Sequence, residues 1–244
     1  RRGWGGRAGE RIEQGEQNVT RPRRLSRFTV LAAAGALALT GCGSVHPGAA
    51  AVVGHDTITE GQVNALAQGL CSANGASGHQ LPSREARQGA LQVLLDTELS
   101  QQFGQKRGAS PNQQQISQAL ARSGRTIAAL PKDERPAFRD ALVRYWEGQL
   151  MLMDIGRKSL EAQGKTQVTP AQATAEGNRL RQQYVKTISV SVNPSLGGFR
   201  RGTFQPATNN GSLSVPASES ARQGNSANPD ASWVASLPAS QQCG

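Results

Sequence analysis

The sequence predicts a mostly α protein: a small bundle of about five helices, one short two-stranded sheet that pairs an N-terminal with a C-terminal strand, and a disordered C-terminal tail. Three observations predict it. Helix start signals recur at Thr59-Glu60-Gly61-Gln62, Ser110-Pro111-Asn112-Gln113 and Thr169-Pro170-Ala171-Gln172. In each, a hydroxyl can accept the N3 amide while the Gln side chain reaches back, and Pro suits the first helical position. The apolar residues that follow such signals repeat at i, i+3, i+4 and i+7, the period of a one-sided helix. Strand character is confined to Ala51–Ile58 and Ile188–Val192 (ISVSV), and neither has another partner for its backbone groups.

Arg1–Asn18 is polar and aperiodic, and it precedes the first export-like feature. It reads as an upstream extension, translation being expected to begin at Val19. Residues 19–41 then have the parts of an export signal. Arg21, Arg23, Arg24 and Arg27 are followed by an uncharged run of 12 residues, Phe28–Leu39, which ends in Leu39-Thr40-Gly41-Cys42. A membrane-spanning helix needs roughly 20 apolar residues, whereas a signal h-region takes about 7–15. The ending resembles the bacterial lipobox, which implies removal of the signal before Cys42 and a diacylglycerol on its sulfur. The partner expected for the N-terminus is therefore a membrane, reached through the lipid on Cys42.

Eight of the 27 Lys+Arg and three of the 17 Asp+Glu precede Cys42. The remainder carries 19 basic and 14 acidic residues, a net charge of +5. With no basic run interleaved with aromatics after Cys42, nucleic acid is not an expected partner. With Cys42 acylated, Cys71 and Cys243 remain as an even pair in an oxidising compartment. A disulfide between them would tie the tail to the first helix; two free thiols is the other reading.

Residues 42–50 read as a small-residue tether and 51–204 as the folded domain. Thr59 opens a helix with Val63, Leu66, Ala67 and Leu70 on one face, ending near Cys71, and Ser72–Pro82 reads as a loop. Ser83 is expected to cap a second helix to about Lys106, buried through Ala90, Leu91, Leu94, Leu95, Leu99 and Phe103, and stopped by Gly108. A third, capped by Ser110, carries Ile116 and Leu120, and Thr126–Leu130 makes one further turn. The fourth, about Lys132–Gln163, is the longest. Its apolar residues cover far more than the roughly 100° stripe of a surface helix. Either it is packed on two sides, or part of that face, Phe138, Tyr145, Trp146, Met151 and Met153, is open to unfolded clients, a use suited to adaptable methionines. The fifth helix starts at Thr169 and carries Leu180, Tyr184 and Val185. From 205 to 244 the period vanishes and the composition is Ser/Asn/Ala/Pro/Gly-rich, with Val215, Trp233, Val234 and Leu237 as the few apolar anchors.

The opening VVGHDTITEGQVNAL resembles that of the N-terminal domain of SurA-like and PrsA-like extracytoplasmic foldases, and the likeness extends over about Ala51–Phe199. It is similar too to short actinobacterial lipoproteins with a SurA-type N-terminal domain, in which a Val-Asn-Pro segment follows the last helix as Val192-Asn193-Pro194 does here. The resemblance implies a chaperone-like protein whose partners are unfolded or secreted polypeptides. In that family a parvulin prolyl isomerase often follows. Ser195–Phe204 faintly resembles one parvulin stretch, but His46, His55 and His79 all lie near the N-terminus, where parvulin histidines do not. No isomerase activity is therefore expected. No metal-ligand spacing, nucleophile elbow, phosphate loop or dinucleotide fingerprint occurs, so no cofactor, metal or small-molecule substrate is expected. The second function considered, from a different class, is an adaptor lipoprotein that docks one specific envelope partner.

Overall fold

The computed structural model describes residues 47–76, 78, 80–207, 216–226 and 228–243. The expectations for 1–18, 19–41, Cys42, His46, His79 and Val215 fall outside those residues. The stretch read as one strand, Ala51–Ile58, is instead a hairpin of β1 (Ala49–Val53) and β2 (Asp56–Thr59), with Val53 opposite Asp56. Gly54 has φ +62°, the positive value that a two-residue hairpin turn of the II′ kind needs at its first central position. The tether thus gives way to strand at Ala49, before residue 51.

Thr59 ends β2 and caps α1 (Glu60–Gly75). Its Oγ1 accepts the Gln62 amide at 3.1 Å and its own amide donates to Gln62 Oε1 at 2.8 Å. The helix passes Cys71 because no Gly or Pro follows it until Gly75, and Asn74 folds its amide back onto the Leu70 carbonyl at 2.8 Å. Within the expected loop, Leu81–Pro82 forms a short strand, β3. The next helix, α2 (Ser83–Lys106), has Pro82 rather than Ser83 at its N-cap; the Ser83 hydroxyl donates to the Gln242 carbonyl instead. All six residues assigned to its inner face are buried. α3 (Gln113–Arg122) is capped by Asn112, whose Oδ1 accepts the Gln115 amide at 3.0 Å, not by Ser110. The following turn is α4 (Gly124–Ala129), and Leu130 just beyond it is buried.

α5 (Arg135–Ala162) is the hub, packed by α6 (Pro170–Val185) and by α1, α2, α3 and α4. This is the two-sided packing that its wide apolar face allowed. The α5–α6 crossing is made possible by glycine: a methyl on Gly156 would overlap the Ala173 carbonyl, and one on Gly177 the Leu152 carbonyl. α6 opens with a second capping box at Thr169 and Gln172. β4 (Val190–Val192) then returns antiparallel to β1, pairing Ala51 with Val192 and Val53 with Val190. The N- and C-terminal strands do pair, but the sheet is three-stranded in the order β2-β1-β4 because the first strand is a hairpin. Val53, Val63, Leu91, Leu95, Leu99 and Phe138 form the main core with it.

The C-terminal part departs most from expectation. β5 (Gly197–Arg200) and β6 (Thr203–Pro206) form a hairpin that sets Phe199 opposite Phe204. Beyond it lie α7 (Glu219–Gly224), α8 (Ala231–Ala235), a 3₁₀ turn at Ala239–Gln241, and β7 (Gln242–Cys243), which pairs with β3. The described residues after 205 are therefore folded rather than disordered. Few apolar residues suffice because each anchor is long-range: Val234 and Cys243 are buried, and Cys243 is disulfide-bonded to Cys71, with Cα atoms 4.8 Å apart.

Candidate functional site

Two of the five residues expected to face clients are core. Phe138 is 6% exposed and lies over Gly69, where a side chain would collide with its ring. Met151 is 3% exposed and fills the space left by Gly104. Both lie on the inward face of α5, so neither can meet a client without unfolding the bundle. Tyr145, Trp146 and Met153 are half-buried. The Tyr145 and Trp146 rings meet edge-on with centroids 5.3 Å apart, and the indole N–H of Trp146 is buried without a hydrogen-bond partner. The structure thus splits the five: Phe138 and Met151 belong to the core, while Tyr145, Trp146 and Met153 keep part of their surface exposed on α5.

A groove of about 910 Å³ lies elsewhere, over the first three turns of α2. One side is α2 itself, from Pro82 and Arg84 to Gln88 and Gln92; the end of β6 and Ala207 close a second side. The third is the C-terminal segment, contributing Gln223, Trp233, Leu237 and Gln241. Gln88 forms part of the floor: it is buried, and its amide nitrogen donates to the carbonyls of Leu196 at 3.2 Å and Ala207 at 3.0 Å, which fixes the hairpin against α2. The Trp233 indole donates to Ser220 Oγ at 3.1 Å, so that α8 and α7 hold each other. The disulfide and the β3–β7 pairing then clamp this wall to α1 and to the start of α2.

The groove presents a mainly apolar lining edged with carboxamides. Trp233 and Leu237 are half-buried, while Gln92, Gln205 and Gln241 stand exposed at its edges. Carboxamides both donate and accept, which suits a polypeptide backbone. Arg84 and Glu85 are the charged residues among the described lining. Burial pushes the Glu85 carboxyl above its ordinary range, an effect that the nearby Arg84 charge only partly offsets. Arg84 Nη1 donates to the Gly224 carbonyl at 3.2 Å, whereas its Nε and Nη2 are buried without partners.

A second, polar cavity of about 330 Å³ beside the β1–β2 hairpin is less open to a role. Arg144 donates to Glu98 at 2.7 Å, and Gln102 donates to Glu98, Asp56 and the Val53 carbonyl. These groups satisfy one another and tie the hairpin to α2 and α5. Among the described residues no cluster of His, Cys, Asp and Glu could hold a metal ion, and no helix is long and apolar enough to cross a membrane. His55 is exposed in the hairpin turn.

Sequence reasoning found the disulfide but missed the groove it supports. The signal was present in Trp233, Val234 and Leu237 close before Cys243, yet it could not be told from a polar tail with scattered apolar residues. Comparison with models of protein families, with curated proteins and with solved structures gives no match.

Proposed function

We propose that the chain is a membrane-anchored, extracytoplasmic, chaperone-like protein that binds segments of unfolded or exported polypeptide in the α2 groove, without isomerase activity. The observation that carries this reading is the groove itself, whose outer wall is held by the Cys71–Cys243 bond. A disulfide that shapes a binding surface suits an oxidising compartment, in agreement with the lipobox-like Leu39–Cys42. A mainly apolar channel edged with carboxamides can take a polypeptide segment without demanding one sequence. Affinity for any one segment is modest, because ordering an unfolded chain offsets much of the contact energy.

The test is aggregation of two unrelated denatured proteins in the presence of the oxidised full-length protein. Suppression of both at near-stoichiometric ratios is expected, with suppression weakened after reduction. Protection of neither, together with one stoichiometric partner recovered from envelope extracts, would establish the adaptor function instead.

A further inference from the structure

We infer that the end of the bundle that carries Lys106, Arg107, Lys186, Arg200 and Arg201 is a docking surface for an anionic lipid bilayer. The inference goes beyond peptide binding and takes from the reading above only that the chain is held at a membrane through Cys42.

Three elements finish at this end. α2 closes with Lys106 and Arg107, α6 is followed by Lys186, and the β5–β6 hairpin turns at Arg201 and Gly202. They are neighbours. The Phe103 ring of α2 meets the Tyr184 ring of α6 with centroids 5.5 Å apart, and a Cβ on Gly202 would lie 3.5 Å from Val185 Cγ1. All five cations are exposed, and none makes an ion pair among the described residues. Lys106 lies over the Tyr184 ring and Arg107 over the Phe103 ring, contacts that position a cation without neutralising it. The acids of the adjoining elements are already engaged. Asp56 accepts the Gln102 amide, Glu98 pairs with Arg144, and Asp154 with Arg157 and Lys158.

The negative ends of two helices favour nearby cations, which accounts for Lys106, Arg107 and Lys186. It does not account for the hairpin tip. Arg201 has φ +52° and Gly202 φ +81°, the two left-handed positions of a type I′ turn, where Asn-Gly is the favoured pair. Arginine at the first of them brings charge to the tip at a cost in backbone strain. Five exposed cations spread over three elements fit a plane of charge better than a single ligand group, and anionic headgroups present such a plane. The anchor can deliver it. Cys42 precedes Ala49 by seven residues, a reach of at most about 25 Å. β1 then runs about 17 Å to the Gly54 turn, whose amide donates to the Ser189 carbonyl, three residues beyond Lys186. The α2 groove lies toward the other end of that helix, with about 21 Å of helix between Gln92 and Lys106. Docking at the basic end therefore leaves the groove clear of the headgroups.

The experiment measures partitioning of the full-length chain bearing Cys42→Ser, so that no attached lipid contributes, onto vesicles of phosphatidylcholine and phosphatidylglycerol in equal parts and onto phosphatidylcholine alone. It is compared with the same chain carrying Lys186→Gln, Arg200→Gln and Arg201→Asn. A control loses the same charge elsewhere, through Arg122→Gln, Arg125→Gln and Lys132→Gln at exposed positions of α3, α4 and the approach to α5. Each cation at an anionic surface is worth about 5-fold in binding, so the first triple variant should lose about 100-fold on the mixed vesicles. The control should lose about 3-fold or less, its charges being screened at that distance. Should the first variant fail to fold, as judged by circular dichroism, Lys186→Gln with Arg200→Gln decides, with a loss of about 25-fold expected. An equal loss in the two triple variants, or a loss in neither, overturns the inference. Capture of soluble polyglutamate as tightly as of the mixed vesicles also overturns it, assigning the surface to an acidic polypeptide. The anchor is judged separately by mass. An acylated Cys42 with no loss in the first variant removes the docking surface and keeps the anchor, whereas an unmodified Cys42 with the expected loss does the reverse.

Discussion

Gly156 and Gly177 sit where α5 crosses α6, and at both positions an added Cβ would strike backbone of the other helix. Backbone cannot move aside as a side chain can, so Gly156→Ala is expected to cost about 3 kcal/mol, the upper end of overpacking. Urea unfolding followed by circular dichroism measures it; a midpoint unchanged from wild type would show that the crossing is looser than described. Such residues are illegible in a sequence read alone. Glycine lowers helix propensity, and only the partner helix explains its presence. Glu176 works at the same crossing. Bonds from Arg179 first, then from Ser159 of α5, hold its carboxyl down to about 2. The folded state thus binds fewer protons here than the unfolded chain, whose carboxyl titrates near about 4.3. Its contribution to stability is complete above that value and disappears as pH falls toward 2. Glu176→Gln should therefore flatten the decline in stability between pH 5 and pH 2 while changing little below pH 2; an acid limb identical to wild type would contradict the assignment.

Elements whose signals are local were legible. The capping boxes at Thr59 and Thr169, the inner face of α2 and the stop at Gly108 depend on residues within one or two turns, and all stand in the structure. The β1–β4 pairing was legible by exclusion, since two strands without partners had to meet. What failed was long-range or very short. β3 and β7 are two residues each, below the length at which alternation can be seen, and their pairing spans most of the chain. The Asn112 cap displaced Ser110 because Asn is as good an N-cap and lies nearer the apolar residues. The C-terminal segment looked like a tail because its stability comes from distant partners: Cys71, the Gln242 bond to Ser83, and the Arg84 bond to Gly224. A prediction follows at this scale. In the chain-entropy account, a bond across 172 residues contributes about 5 kcal/mol against the unfolded state. Cys243→Ser should first release the segment rather than the bundle. In hydrogen exchange, amides of α8 and β7 should lose protection while those of α5 and α6 stay slow; uniform loss across both would show that the segment and the bundle unfold as one.

At the scale of the whole molecule, the disulfide clamp and the groove belong to the folded domain, and the proposed function adds a lipid attachment before it. The proposed lipid on Cys42 is argued from the charge, length and small residues of 21–42 alone, and the mass of the membrane-extracted protein checks it. A species beginning at Cys42 and heavier by a diacylglyceryl group is expected, and Cys42→Ser should leave the membrane fraction. The central claim is that unfolded chain occupies the groove between α2 and the C-terminal segment, and not the face of α5 around Trp146. Site-specific photo-crosslinking tests it most directly. A photoreactive residue is placed at exposed Gln92 on the groove edge or at half-buried Trp146 on α5, in the full-length oxidised protein with a denatured client. Crosslinking concentrated at Gln92, and lost on reduction of the Cys71–Cys243 bond, is the predicted result. Client captured equally at both positions, or at Trp146 alone, would contradict the account.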